Sequence, residues 1–357
     1  MSTSKPKRSS SRASRLRILA LSAVVGAGVL LAASPAGAAA PGRDGRIAYK
    51  HFFDVGFARA AVFTANPDGT EIRQVTHPAA STVDDFPQWS RDGSRLAFTE
   101  FSPGADQCYT VQADGTRRRH VAGTAAFSVS PPSGVGCEFV SFAPDGNHLA
   151  LSLASGPLVE QPTEHIARMG IYVSDVSGHA LRQLTQFGES TTSEDHEPMW
   201  SPDSRRIVFT RINTVANPVN QQALFVMDAN GRHIHRITPW SLNAGGADWS
   251  PNGNEIAFQS YRDCACSVTS QIFTVHPDGT DLDQITTDGR NIEPAFSPSG
   301  SRLVFGHNPG NGPDGFADVY TLNIDETASH IRKIIHTPLW ESEPAWGTAP
   351  LIRHPSS

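Results

Sequence analysis

The chain has 357 residues, 38% of them hydrophobic, with 29 Lys and Arg against 35 Asp and Glu and a formal net charge of −6. That length suffices for one large domain or two smaller ones. The acidic balance argues against nucleic acid or an anionic membrane surface as the partner.

The first element in chain order is not part of the fold. Lys5, Lys7, Arg8, Arg12, Arg15 and Arg17 form a basic head, residues 18–33 are all apolar or small, and Ala36-Gly37-Ala38 supplies a signal-peptidase site. Residues 1–38 are read as a signal peptide and 39–43 as a short linker, because a cut after Ala40 would leave Pro41 first. The alternative is an uncleaved anchor, but the apolar run is short for a span of roughly 20 residues. With no Cys after the run and no Arg-Arg pair before it, ordinary secretion is expected rather than a lipoprotein or twin-arginine export. The product would be extracellular, periplasmic or cell-envelope associated, with no membrane span in the mature chain. Without the leader, which holds six basic residues and no acidic one, 23 basic residues face 35 acidic ones, a net charge of −12.

Beyond the leader one phrase recurs: Trp89-Ser90-Arg91-Asp92-Gly93-Ser94-Arg95-Leu96-Ala97-Phe98, again from Phe142, Trp200, Trp249 and Phe296. Each copy is an aromatic, a turn of Pro, Asp or Gly, and a short apolar run, so the chain is a repeat architecture. A second unit follows each phrase, starting at Val62, Tyr109, Ile171, Leu224, Ile272 and Val319 and running into Asp-Gly or a similar turn, then a polar strand ending in Thr or an equivalent. Asp-Gly and Asn-Gly mark hairpins because glycine accepts a positive φ. Two hairpins per repeat give four strands, here a to d, which is a propeller blade. The phrase is split at the ends: Asp44-Gly45-Arg46-Ile47-Ala48-Tyr49 lacks its aromatic strand, and Pro344-Ala345-Trp346-Gly347 supplies it. The expected fold is therefore all-β, a six-bladed β-propeller of four-stranded antiparallel blades over 44–347. A C-terminal strand would close the ring on the N-terminal blade, with 348–357 as a tail. A monomer is expected.

These phrases, notably Ser201-Pro202-Asp203 and Trp249-Ser250-Pro251-Asn252-Gly253-Asn254-Glu255-Ile256-Ala257-Phe258, resemble those of the TolB-like propellers built of PD40 (WD40-like) repeats. The resemblance spans nearly the whole mature chain and speaks to fold rather than function. TolB proteins of the Tol–Pal envelope system carry an α/β domain ahead of the propeller, whereas only 39–43 are expected there in this chain, which argues against a Tol–Pal role. Strand order puts the short a–b and c–d turns on one face. The b–c loops and d–a crossovers, long at 122–137, 155–170, 212–222, 261–270 and 307–318, fall on the other, the candidate working face.

An even cysteine count in an exported protein favours disulfides. Cys108 with Cys137 is the expected pair, and Cys264 with Cys266 would close a tight loop; a thiol metal or redox site at the latter is the sharper alternative. Carboxylates gather just before the strand-a aromatic: Glu197, Glu293 and Glu343 stand three residues ahead of it, each followed by Pro, and Asp85 and Glu138 stand four ahead. Gly245-Gly246 is the exception. Clustered at the channel mouth, these residues could hold Ca²⁺ or another divalent cation, attract a basic ligand or raise one another's pKa; otherwise they are hydrated or bond backbone amides. In Asp195-His196-Glu197, strand alternation would let the acids share a face and turn His196 away. The remaining histidines, such as His233, His235, His276 and His336, read as surface residues.

No Gly-x-Ser-x-Gly elbow or phosphate-binding loop is present, and residues 348–357 are too few for a hydrolase domain. The sequence thus favours an exported, non-catalytic binding or scaffold module, without a cofactor, for a protein, peptide or cell-wall component. The alternative is a metal-assisted hydrolase or lyase acting on a polysaccharide at the channel mouth.

Overall fold

The computed structural model describes residues 42–349 except 104–105, 122–135, 162–163, 186–192, 214–220, 262–268, 311–315 and 325–330, with the backbone alone over 155–168. The expected signal peptide and the Cys264–Cys266 pair lie outside the described residues.

Among the described residues, twenty-four strands assemble into six blades. Blade 1 is built, from inside outward, of Glu341–Thr348, Asp44–Phe52, Ala60–Ala65 and Arg73–Gln74. The inner strands of blades 2 to 6 are Val83–Trp89, Cys137–Phe142, Ser193–Trp200, Ala244–Trp249 and Arg290–Phe296. Each inner strand touches those of the two adjacent blades, so the six line a closed ring. Closure is the expected one: Glu341–Thr348 runs antiparallel to Asp44–Phe52, with Trp346 opposite Ile47 and Glu341 opposite His51. Gly347 is required there, since a Cβ would lie 2.6 Å from the Trp89 ring of blade 2. Blades 1 and 2 also share one parallel bridge, Ala60 to Val83, and so form one eight-stranded sheet.

The recurring phrase folds for local reasons. In the a–b turns Ser90 and Ser201 donate their hydroxyls to Asp92 and Asp203 (2.7 and 2.6 Å) and accept the amides of Arg95 and Arg206 (3.0 and 2.9 Å). In the c–d turns Asp68, Asp114 and Asp278 accept the amide two residues on, at 2.9 to 3.0 Å. The Thr that ends strand d also has a task. Thr76, Thr185, Thr238 and Thr286 each accept an amide of strand c at 2.9 Å, tying outer strand to inner sheet.

Side chains of strands b and c fill the blades. Phe98 stacks on Tyr109, Phe209 on Phe225 and Phe258 on Phe273, and Phe98, Phe209, Phe258 and Phe305 are fully buried. Burying one such ring contributes about 1.5–3 kcal/mol. Between blades, the guanidinium opening strand b lies over the next blade's strand-a aromatic: Arg95 over Phe142 (4.9 Å), Arg206 over Trp249 (4.8 Å) and Arg302 over Trp346 (4.5 Å). The Cys108–Cys137 disulfide forms as expected, with a Cα separation of 5.6 Å, and links blade 2 to the inner strand of blade 3.

One of the long loops needs correction. Residues 155–161 and 164–170 belong to paired strands, because His148–Gln161 and Glu164–Asp175 continue pairing out to Gln161 opposite Glu164. The b–c hairpin of blade 3 thus projects as a β-ribbon from the long-loop face.

Candidate functional site

Every inner strand carries a β-bulge near its start, at the long-loop end of the channel. Register with strand b slips between Asp85 and Gln88, His196 and Met199, Gly245 and Asp248, and Ile292 and Ala295. Blade 1 slips between its Ser342 and Ala345 pairs, and blade 3 one place earlier, between Cys137 and Phe139. Pro87, Pro198, Pro294 and Pro344 fall inside these gaps, where a residue without an N–H costs no ladder bond. The residue before each proline is left-handed: Phe86 (φ 50°), Glu197 (51°), Glu293 (51°) and Glu343 (47°), with Gly246 (59°) at the same place in blade 5. For a non-glycine residue that conformation costs roughly 1–2 kcal/mol. A bulge re-aims a side chain, and here it turns the residue into the channel.

Phe86, Phe139, Glu197, Gly246, Glu293 and Glu343 line one cavity of about 30 Å³, room for about two water-sized occupants. Its wall has two characters. Blades 2 and 3 contribute aromatic rings 5.5 Å apart, while blades 4, 6 and 1 contribute carboxylates. The glycine of blade 5 has a physical reason, because its neighbours fold over it. The Gly246 amide donates to Glu197 Oε2 (3.0 Å), and a Cβ there would lie 2.9 Å from Glu293 Oε2.

Burial raises the pKa of all three glutamates. Glu293 is lifted well above the ordinary carboxylate range by burial, then by Glu197 and Glu343, with the Gln259 amide (3.0 Å) opposing. Glu197 is raised by burial and by Glu138, against the Gly246 amide and the Thr210 hydroxyl. Glu343 is raised by burial and by Asp85, against Lys50. Lys50, on strand b of blade 1, puts Nζ 2.7 Å from Asp85 and 2.7 Å from Glu343, and 5.9 Å from the Phe86 ring. Burial alone would lower its pKa, but the two carboxylates more than offset this and keep it charged.

A family model described as the TolB beta propeller domain (PD40) matches residues 44–214. The chain is a TolB-like PD40 propeller. It is 23% identical over 276 residues to the Tol-Pal system protein TolB of Francisella tularensis subsp. mediasiatica, covering 75% of this chain and 55% of the relative. The chain thus spans about half the length of the curated relatives it matches. Among solved structures, TolB from Acinetobacter baumannii superposes with a TM-score of 0.64 at 18% identity, over 85% of this chain and 66% of that one. The Kuenenia stuttgartiensis hydrazine synthase gives a TM-score of 0.66 at 13% identity, over 87% and 47%. Such likenesses speak to fold alone.

Of the six carboxylates singled out in sequence, the TolB-like propeller gathers Glu197, Glu293 and Glu343 on one cavity, and Asp85 reaches Glu343 through Lys50. Glu138 and Asp195 are engaged elsewhere. Glu138 Oε2 lies 2.6 Å from His196 Nδ1, and Glu194 holds the other ring nitrogen at 3.2 Å. His196 thus pairs with neither Asp195 nor Glu197; it shares a face with Glu194, two residues away as strand alternation requires, and bridges its carboxylate to that of Glu138 in blade 3. These raise its pKa well above the usual value against the opposing effect of burial. Asp195 makes a two-pronged pair with Arg211 of strand b (2.6 and 2.8 Å). Among the described residues, no three His, Cys, Asp or Glu side chains are placed to hold a metal ion.

Asp195 belongs to a layer of polar residues that stands five residues ahead of the aromatic in blades 1, 2, 4 and 6; Cys137 and Ala244 hold the place in blades 3 and 5. Asn291 meets His307 (2.7 Å) and Glu341 meets His51 (2.9 Å) in the same way. Of these four, blade 2 differs, since Asp84 stands opposite Glu100, whose partner is Arg118. Asp84 is 0% exposed, and neither carboxylate oxygen accepts a hydrogen bond of ordinary geometry. Burial lifts its pKa to about 6, offset in part by Thr76 and Arg118. Asp248, which also lines the channel cavity, is lifted by burial to about 7 while accepting the Phe296 amide (2.8 Å). Sequence reasoning missed Lys50, Phe86, Phe139 and Asp248. The position three before the aromatic would have found the two phenylalanines.

Proposed function

We propose that this TolB-like propeller is an exported, non-catalytic binding or scaffold module that grips a protein or peptide partner at the long-loop end of its channel by a basic side chain. The reading rests chiefly on the two-sided mouth: three carboxylates held at a conformational cost face two aromatic rings, a combination that suits a cation. The chain's own Lys50, set between Asp85 and Glu343 near Phe86, illustrates the kind of group the wall accommodates. The Tol-Pal names of the curated relatives fit an envelope partner, and the basic, apolar and small-residue segments of 1–38 fit export.

A tetralysine peptide tests this. Binding that weakens with salt and drops at least about tenfold in the Glu197→Gln/Glu293→Gln/Glu343→Gln variant, roughly 1.4 kcal/mol, is expected. Equal affinity for both proteins would overturn the reading. The alternative of metal-assisted polysaccharide cleavage gains no supporting observation from the described residues.

A further inference from the structure

We propose that an apolar shelf beside the mouth, formed by Val55, Phe57, Phe316 and Trp340, takes a large apolar side chain of the same basic partner segment; this rests on the mouth reading above.

The b–c loop of blade 1 is built to present the shelf. The Phe53 amide donates to the Arg59 carbonyl (3.0 Å) and the Ala58 amide to Asp54 Oδ1 (3.2 Å), closing the loop on itself. At its tip Phe57 is held left-handed (φ 56°). Val55 is 69% exposed and Phe57 40% exposed, both large for apolar side chains fixed by a closed loop. Phe57 is nonetheless braced, meeting Phe52, Trp340 and Phe316 edge-on at 5.1, 5.6 and 5.7 Å. The ring is propped from beneath, and part of its surface stays open to solvent.

A line of buried side chains joins the shelf to the mouth. Lys50 Nζ lies 5.1 Å from the Phe52 ring, and Phe52 lies 5.1 Å from Phe57. Lys50 Nζ and the Phe57 ring are therefore at most about 10 Å apart, a separation that about three residues of extended peptide, at roughly 3.3 Å each, match along the surface above. Charge chooses the occupant. The chain is acidic, with 35 Asp and Glu against 29 Lys and Arg, and Glu197, Glu293 and Glu343 offer oxygen acceptors at the mouth, so a cationic donor is favoured over an anionic lipid headgroup or an acidic second copy of the chain. The fitting partner is a peptide segment with Lys or Arg one or two residues from an aromatic or large aliphatic side chain.

Three blocked peptides, Lys-Gly-Trp, Lys-Gly-Ala and Gly-Gly-Trp, titrated into the full chain and followed by NMR, test the proposal. Lys-Gly-Trp should bind at least about tenfold tighter than Lys-Gly-Ala, well within what burying a Trp can supply. Phe57→Ser should erase that advantage without changing Lys-Gly-Ala. Val55→Ser, at a side chain too exposed to matter for folding, should reduce it. A tryptophan advantage that survives both variants, with lysine dependence intact, overturns the shelf and leaves the mouth standing. Loss of lysine dependence with a Phe57-dependent tryptophan advantage retained overturns the mouth and supports the shelf. Absence of binding by every probe at several millimolar overturns both. Phe57-dependent dimerisation, or Phe57-dependent binding to anionic phospholipid vesicles, overturns the peptide assignment.

Discussion

Replacing Asp84 by Asn should stabilise the protein at neutral pH, although it removes a charge from the interior. Burial raises the Asp84 pKa from 3.8 to about 6, and each unit is worth about 1.4 kcal/mol. The ionised carboxylate therefore costs the native state about 3 kcal/mol near pH 7. An asparagine amide in the same place is itself under-bonded, which returns about 1–2 kcal/mol of that gain. The folded state holds this proton more tightly than the unfolded chain does. The cost is thus absent below about pH 4, grows as pH rises, and is complete above about pH 6. Urea midpoints of wild type and Asp84→Asn at pH 4 and pH 7.5 measure it directly. The variant should equal or fall below wild type at the lower pH and exceed it by about 1–2 kcal/mol at the higher. An Asp84→Asn protein destabilised equally at both pH values would refute the reasoning, because a carboxylate that welcomes its charge must be partnered.

Other sites give different signs. Lys50→Met leaves Asp85 and Glu343 buried without their shared cation, which should cost about 3–5 kcal/mol, and adding Asp85→Asn and Glu343→Gln should recover most of the loss in thermal melts. Glu293→Gly copies what blade 5 already has at Gly246, relieves a left-handed Glu and thins a like-charge cluster, so a rise in melting stability of about 1 kcal/mol is expected with weaker tetralysine binding. Reducing Cys108–Cys137, whose partners are 29 residues apart, should lower stability by about 2–4 kcal/mol in calorimetry with and without reductant.

Much of the fold was legible because a repeat reports the same local physics many times. The small polar and glycine residues of the turns, the Thr after strand d and the aromatic near the end of strand a recur from blade to blade, and the split phrase at Asp44 and Trp346 gave away the closure. The mouth was only half legible, since period-two alternation fails at a bulge. Asp85 and Glu138 drew attention as acids, yet in their blades the channel-facing position belongs to Phe86 and Phe139. The partners of His196, Glu194 on its own strand and Glu138 on the neighbouring blade, were not singled out together because one of them arrives from another blade. Lys50 resembled any strand lysine, and only its meeting with Asp85 and Glu343 from two other strands makes it a participant. The ribbon over 155–170 hid because a sequence without turn signals at regular spacing reads as loop.

The pairing of Glu341–Thr348 with Asp44–Phe52 also governs when the molecule can exist. Blade 1 lacks its inner strand until residues 341–348 have been synthesised, so every earlier length of chain presents an incomplete ring with a bare strand edge at Asp44–Phe52. Contacts spanning some 300 residues form slowly, and such an edge invites pairing with other chains. A polypeptide that cannot close its ring before its far end appears keeps that edge open for the whole interval.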